Sequence, residues 1–165
     1  MYKRQYLKDV SGWESPDWYA APGTTPTAQP SWHHEPWFDH WRAEHEAGRT
    51  GVGLIDMSFM AKFLVEGPDA ATVLDRISAG PVAGQPGRIV YTQWLNETGG
   101  IEADLTVTRL AVDRFLVVAS DTAHGHASAW LARHTDGADA RVSDVTATYA
   151  PVSYTHLTLP TNREV

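Results

Sequence analysis

Residues 101–110 alternate cleanly in type: Ile101, Ala103, Leu105 and Val107 on one face, Glu102, Asp104, Thr106 and Thr108 on the other. A period of two is the mark of a half-buried strand. On the polar face Asp104 sits mid-strand, a rigid place for a working carboxylate. If that face meets solvent, it is an ordinary polar surface. If it lines a cavity, Tyr91 on the preceding strand can stack on a flat ligand, while Asp104 binds a polar edge or a developing cation.

Histidines are the other chemically capable group. His33, His34, His40 and His45 gather near one predicted helix, and His124 and His126 lie in another. Spacings of five and of two diverge on a helix, and no H-E-x-x-H pattern occurs, so no metal site is expected. Gly51-Val52-Gly53, Gly67-Pro68 and Gly99-Gly100 do not form a phosphate-binding loop or G-x-G-x-x-G.

The elements that would position these residues follow from the pattern. Residues 6–35 hold Pro16, Pro22, Pro26 and Pro30 with Trp13, Trp18 and Trp32. That density of proline predicts an irregular approach segment whose tryptophans pack onto a domain face. Pro36 opens a helix that ends at Gly48, with Trp37, Trp41 and Glu44/His45 on one face. Strands are predicted at 53–57 and 61–66, then a helix opened by Gly67-Pro68-Asp69, with Ala71, Leu74 and Ile77 or Ser78 inward and Gly80 at its end. Residues 88–95, the turn 96–100 and residues 101–110 form a hairpin. Arg114–Ala119 is a buried strand, 123–133 a helix with Ala127, Trp130 and Leu131 inward, and 141–145 a short strand. A last strand starts near Tyr149. The sum is an α+β fold: an antiparallel sheet with flanking helices.

Composition bounds the function classes. The 165 residues carry 13 Lys+Arg against 20 Asp+Glu, a net charge of −7. That balance argues against a nucleic-acid partner, which needs a basic face. With no cysteine, disulfides, thiolate zinc sites and a thiol nucleophile are excluded. No apolar run approaches the roughly 20 residues of a membrane span, and no apolar stretch follows Lys3 and Arg4 as in a secretory signal. A cytoplasmic protein without a membrane partner is expected.

Four stretches carry a family resemblance: EHEAGRTGVGLIDMS (44–58), VEGPDA (65–70), YTQWLNETGGIEADLTV (91–107) and RFLVVAS (114–120). Together they resemble the N-terminal half of the folate-binding domain of glycine-cleavage T-proteins, the aminomethyltransferases. They are more similar still to the C-terminal region of FAD-dependent dimethylglycine and sarcosine dehydrogenases. The lead-in GWESPDWYA (12–20) favours that branch. T-proteins tend to read D-V-S-H-M and G-G-x-x-D-D-L; here Phe59 replaces the histidine and Ala103 the first aspartate, while Asp104 matches the second.

The resemblance implies a truncated N-terminal part of an aminomethyltransferase fold, with tetrahydrofolate as cofactor and FAD only in a missing upstream domain. Its partners would be folate and a small-molecule amine. Asp104 would be the catalytic carboxylate beside the reactive folate nitrogens. Tyr91, Met60 and Thr106 would line the pterin pocket, Thr106 at a position usually apolar. The amine yields a one-carbon unit at the formaldehyde level. Its transfer develops positive charge and moves a proton, and a fixed carboxylate serves both. Two alternatives stay open: a free-standing aminomethyltransferase, and a non-catalytic folate-binding protein of the same fold.

Both ends also resemble translated sequencing adapter: MYKRQ (1–5), and VSYTHLTLPT (152–161) within residues 151–165. On that reading residues 6–35 are the approach segment, 36–150 are half of a folate-binding domain, and the fragment alone is not a competent enzyme.

Overall fold

The computed structural model describes residues 4–155. It divides into two compact units, one ending at Leu54 and resumed from Tyr154, the other spanning Ile55–Ser153.

The first unit opens with a hairpin, not the irregular segment expected. Strand β1 (Gln5–Val10) pairs antiparallel with β2 (Trp13–Tyr19) across Ser11-Gly12. Both turn residues have positive φ, 55° and 87°, the backbone that a two-residue hairpin turn requires. Pro16 is tolerated because a two-stranded ribbon has a free edge on each strand, and the register shifts beside it, between Tyr6 and Leu7. The tryptophans also divide: Trp18 is buried, whereas Trp13 and Trp32 are exposed. Helix α1 (Phe38–Thr50) runs through Gly48 instead of stopping there. One interior glycine costs a helix only about 1 kcal/mol. The helix closes at Gly51, whose N–H donates to Ala47 O at 2.8 Å, and the Thr50 hydroxyl donates to Glu46 O.

The second unit is built on a five-stranded antiparallel sheet in the order β5-β6-β7-β4-β8. Its strands are β4 (Ala61–Glu66), β5 (Ile89–Leu95), β6 (Ile101–Ala111), β7 (Arg114–Ala119) and β8 (Arg141–Asp144). Two helices, α2 (Ala70–Ile77) and α3 (His124–Thr135), cover one face. Ala70, Val73, Leu74 and Ile77 of α2 and Ala127 and Leu131 of α3 are buried. All of these but Val73 meet Phe63, Val65, Trp94, Leu105, Val107, Phe115 and Val117 in a single core. Trp130 packs at its edge. The antiparallel α+β class read from the sequence is therefore the observed one.

Boundaries moved for local reasons. Gly67, at φ 135°, belongs to a turn before α2, where its N–H donates to Asp113 O. Ser78 is already extended, and Ala79 N–H donates to Gln93 O, so residues 78–80 cover the free edge of β5. The last strand does not start near Tyr149, whose N–H turns back onto Val145 O. It is β9 (Val152–Thr155), paired with β3 (Gly53–Asp56).

Candidate functional site

The hairpin β5–β6 carries the site. Its turn is held by Asn96, whose Oδ1 accepts from the Thr98 N–H, the Thr98 hydroxyl and the Gly100 N–H. Leu95 faces Ile101 in register, but Trp94 faces Ala103, so Glu102 is an extra, bulged residue. Without that bulge, Tyr91 would stand opposite Leu105 and share its buried face. With it, Gln93 opposes Asp104 and Tyr91 opposes Thr106.

The bulge also splits the predicted polar face. Glu102 turns away to accept from Asn96 Nδ2 at 2.8 Å and to meet His126 Nε2 of α3 at 2.8 Å. The Asn96 hydrogen bond, then His126, hold its carboxyl below the usual carboxylate range. Asp104 remains on the face opposite the helices. Glu102 and Asp104 therefore do not form a carboxylate pair.

Asp104 is exposed and held at both oxygens. Tyr91 Oη donates to Oδ2 at 2.7 Å, and Gln93 Nε2 donates to Oδ1 at 3.1 Å. The hydrogen bond to Asp104 pushes the Tyr91 phenol above its ordinary value, so it stays a donor through neutral pH. Tyr91 is 67% exposed beside the carboxylate.

Register places the other predicted residues. Tyr91, Thr106, Val118 and Lys62 form one row across β5, β6, β7 and β4. The neighbouring row of Leu105, Ala119 and Ala61 puts Asp104 and Met60 one residue beyond it at the same end of the sheet. They stand two strands apart, about 10 Å at ordinary strand spacing. The structure thus brings Tyr91 and Asp104 into contact, sets Thr106 opposite Tyr91, and places Met60 at the same end of the sheet, two strands away.

Two contributors were not foreseen. Gln93 was hidden because its facing of Asp104 depends on the bulge. Lys62 is fully buried, and its Nζ donates to Met60 O at 2.6 Å and to Ser58 O at 3.0 Å. It clamps the Ser58–Met60 turn through backbone carbonyls. A lone lysine within an apolar strand was the available signal.

Two histidines of the second unit pair with carboxylates. His124 meets Asp144 at 2.7 Å and stacks on Phe63, and His126 meets Glu102. Among the described residues no three His, Asp or Glu side chains converge as a metal site would. No helix there is long and apolar enough to cross a membrane.

An open face with a fixed carboxylate, an exposed phenol ring and a thioether at the same end can receive a flat, partly polar heterocycle. It can also steady a cation and move a proton at the carboxylate.

The family described as the GCVT N-terminal domain matches residues 3–154. The chain is 43% identical over 144 residues to the 4-methylaminobutanoate oxidase (formaldehyde-forming) of Paenarthrobacter nicotinovorans, covering 87% of this chain and 18% of that protein. It is 29% identical to the mitochondrial dimethylglycine dehydrogenase of Mus musculus, over 82% of this chain and 16% of that one. The crystal structure of aminomethyltransferase T from Bartonella henselae superposes with a TM-score of 0.66 at 28% identity, covering 87% of this chain and 35% of the other. The chain spans about a sixth to a third of these relatives' lengths.

Proposed function

Because the chain belongs to the GCVT N-terminal domain family, we propose that it is the tetrahydrofolate-binding part of an FAD-dependent N-methyl amine oxidoreductase. The type is that of the dimethylglycine and sarcosine dehydrogenases. The observation that carries the site is the Tyr91–Asp104 hydrogen bond on the face of the sheet away from α2 and α3.

The residues present suit a reduced pterin. Tyr91 offers an exposed ring face and Met60 a soft apolar wall, with Thr106 between strands. Asp104 offers a carboxylate already oriented by Tyr91 and Gln93, so little reorganisation is needed when charge develops. Bound tetrahydrofolate supplies the ring nitrogens that take up a one-carbon unit at the formaldehyde level. Asp104 then stabilises the cationic donor electrostatically and accepts or relays the proton released at nitrogen. The Tyr91 phenol, kept protonated, fixes the carboxylate's direction and does not compete as a base. The chain has no G-x-G-x-x-G fingerprint, so the flavin is assigned to a separate domain and none of its contacts to this chain.

The oxidoreductase branch is favoured by 43% identity to a formaldehyde-forming amine oxidase over 87% of the chain, against 38% to the aminomethyltransferase of Saccharopolyspora erythraea over 67% of it and 29% to that of Thermotoga maritima. The second reading, a free-standing aminomethyltransferase, is supported by the latter's alignment over 90% of the chain. The test is amine-dependent reduction of an electron acceptor by the complete polypeptide carrying this segment. N-methyl amines should drive it. Turnover only with an aminomethyl group presented by a carrier protein selects the second reading.

A further inference from the structure

Among the described residues Lys62 is the one charged side chain that is fully buried. Its row, shared with Val118, Thr106 and Tyr91, puts it on the sheet face that carries the Tyr91–Asp104 pair. Tyr91 is exposed on that face, so Lys62 is buried by what folds over it. The cover includes the Ser58–Met60 turn, whose Ser58 and Met60 carbonyls both accept from Lys62 Nζ, at 3.0 and 2.6 Å.

The turn is tied at three points. Asp56 Oδ1 accepts from the Ser58 N–H at 2.9 Å and from its hydroxyl. The Met60 N–H donates to Met57 O at 3.1 Å. These two ties are local, whereas Lys62 fastens the turn to β4. A buried ammonium is costly without an opposite charge, and Lys62 has no carboxylate partner among the ion pairs of the described residues. An apolar side chain of similar length would fill the space with less desolvation. A buried polar group is best understood where it selects one arrangement over others. The arrangement selected here is that of Phe59, which is exposed and lies in sequence between the two clamped carbonyls, and of half-buried Met60. Methionine is flexible, so a wall built from it is only as fixed as the turn that bears it.

We propose that Lys62 is a positioning residue of the pterin site: by clamping the turn it presets Met60 as a wall before tetrahydrofolate arrives. It sets affinity for the ring and leaves the chemistry at Asp104 alone. The inference rests on the reading of this face as the folate site.

The test follows transfer of formaldehyde-level carbon by the complete polypeptide against tetrahydrofolate concentration, with amine oxidation measured separately. In Lys62→Met, KM for tetrahydrofolate should rise about tenfold, the scale of ordering one flexible side chain on binding, with kcat for transfer and amine oxidation kept. Met60→Ala should also raise KM. The double variant should be no worse than Met60→Ala alone, because Lys62 acts through Met60. If Lys62→Met does not fold, Lys62→Gln, which keeps a neutral donor on a shorter stem, carries the same test: KM above the parent's, kcat kept. An unchanged KM, a fall in kcat at the parent's KM, or KM effects that multiply in the double variant would each overturn the assignment. If Met60→Ala raises KM and the Lys62 variants do not, this inference alone fails. If neither Met60→Ala nor Asp104→Asn alters transfer, the folate reading fails and takes the inference with it.

Discussion

Tyr91 Oη donates a 2.7 Å hydrogen bond to Asp104 Oδ2 across neighbouring strands, thirteen residues apart in sequence. The pair shares a face only because Glu102 is bulged out of the ladder between the turn and Asp104. A one-residue slip turns every side chain of a strand to the other face, so the bulge is what makes the site.

The first consequence concerns titration. The Tyr91 phenol lies above its ordinary value of 10.0 through its hydrogen bond to Asp104. A folded value above the unfolded one stabilises the fold below pH about 10, and that contribution is lost as pH rises through the folded value. Phenolate absorbance from pH 9 to 12, taken as the difference from Tyr91→Phe, should show Tyr91 titrating late. In Asp104→Asn it should move down. An unchanged titration would show that Asp104 does not hold the phenol.

Acid should loosen the second unit through three carboxylates. Asp56, held by Ser58, Asp144, held by Thr146 and then His124, and Glu102, held by Asn96 and then His126, all lie below their ordinary values. Depressed values contribute stability above the unfolded values near 4, and that contribution is lost as pH falls through the folded ones. Melting temperatures from pH 7 to 3 should fall most steeply below pH about 4. Glu102→Gln should flatten that fall, and a curve parallel to the parent's would contradict the assignment.

Lys62→Met keeps the apolar stem but strips two donors from the Ser58 and Met60 carbonyls. Leaving part-buried carbonyls unsatisfied costs about 1–3 kcal/mol. Urea unfolding should report a loss of that order. A neutral result would mean that water replaces the ammonium and the clamp is dispensable.

Gly67→Ala should destabilise the unit. At φ 135° an added Cβ is strained, and it would stand 2.9 Å from Ala140 Cα and closer still to Asp139 O. Positive-φ strain alone costs about 1–3 kcal/mol. A melt within a degree of the parent's would mean the backbone yields there.

Some of this was legible in the chain and some was not. Alternation over 101–110 located β6, and the apolar run at 114–119 located β7, because burial of one face imposes a period. The bulge at Glu102 has no such signature: the residue is as polar as Asp104, so the sequence put both on one face. The approach segment misled through its prolines. Pro16 blocks a central strand but not a two-stranded ribbon with free edges, and Ser11-Gly12 was the hairpin signal. Gln93 had no such signature, whereas Lys62 stood out as a lone lysine in an apolar strand. The role of Gln93 depends on which residue stands opposite, a matter of register more than of residue type.

The central claim is that Asp104 is the carboxylate at which the one-carbon unit meets tetrahydrofolate. Its most direct test is in the complete polypeptide, measuring formaldehyde-level carbon transferred to tetrahydrofolate while amine oxidation is followed separately. With Asp104→Asn, transfer should fall about 100-fold or more, the range of a lost acid–base group, with amine oxidation retained and free formaldehyde released instead. Transfer at the parent rate in Asp104→Asn would contradict the account.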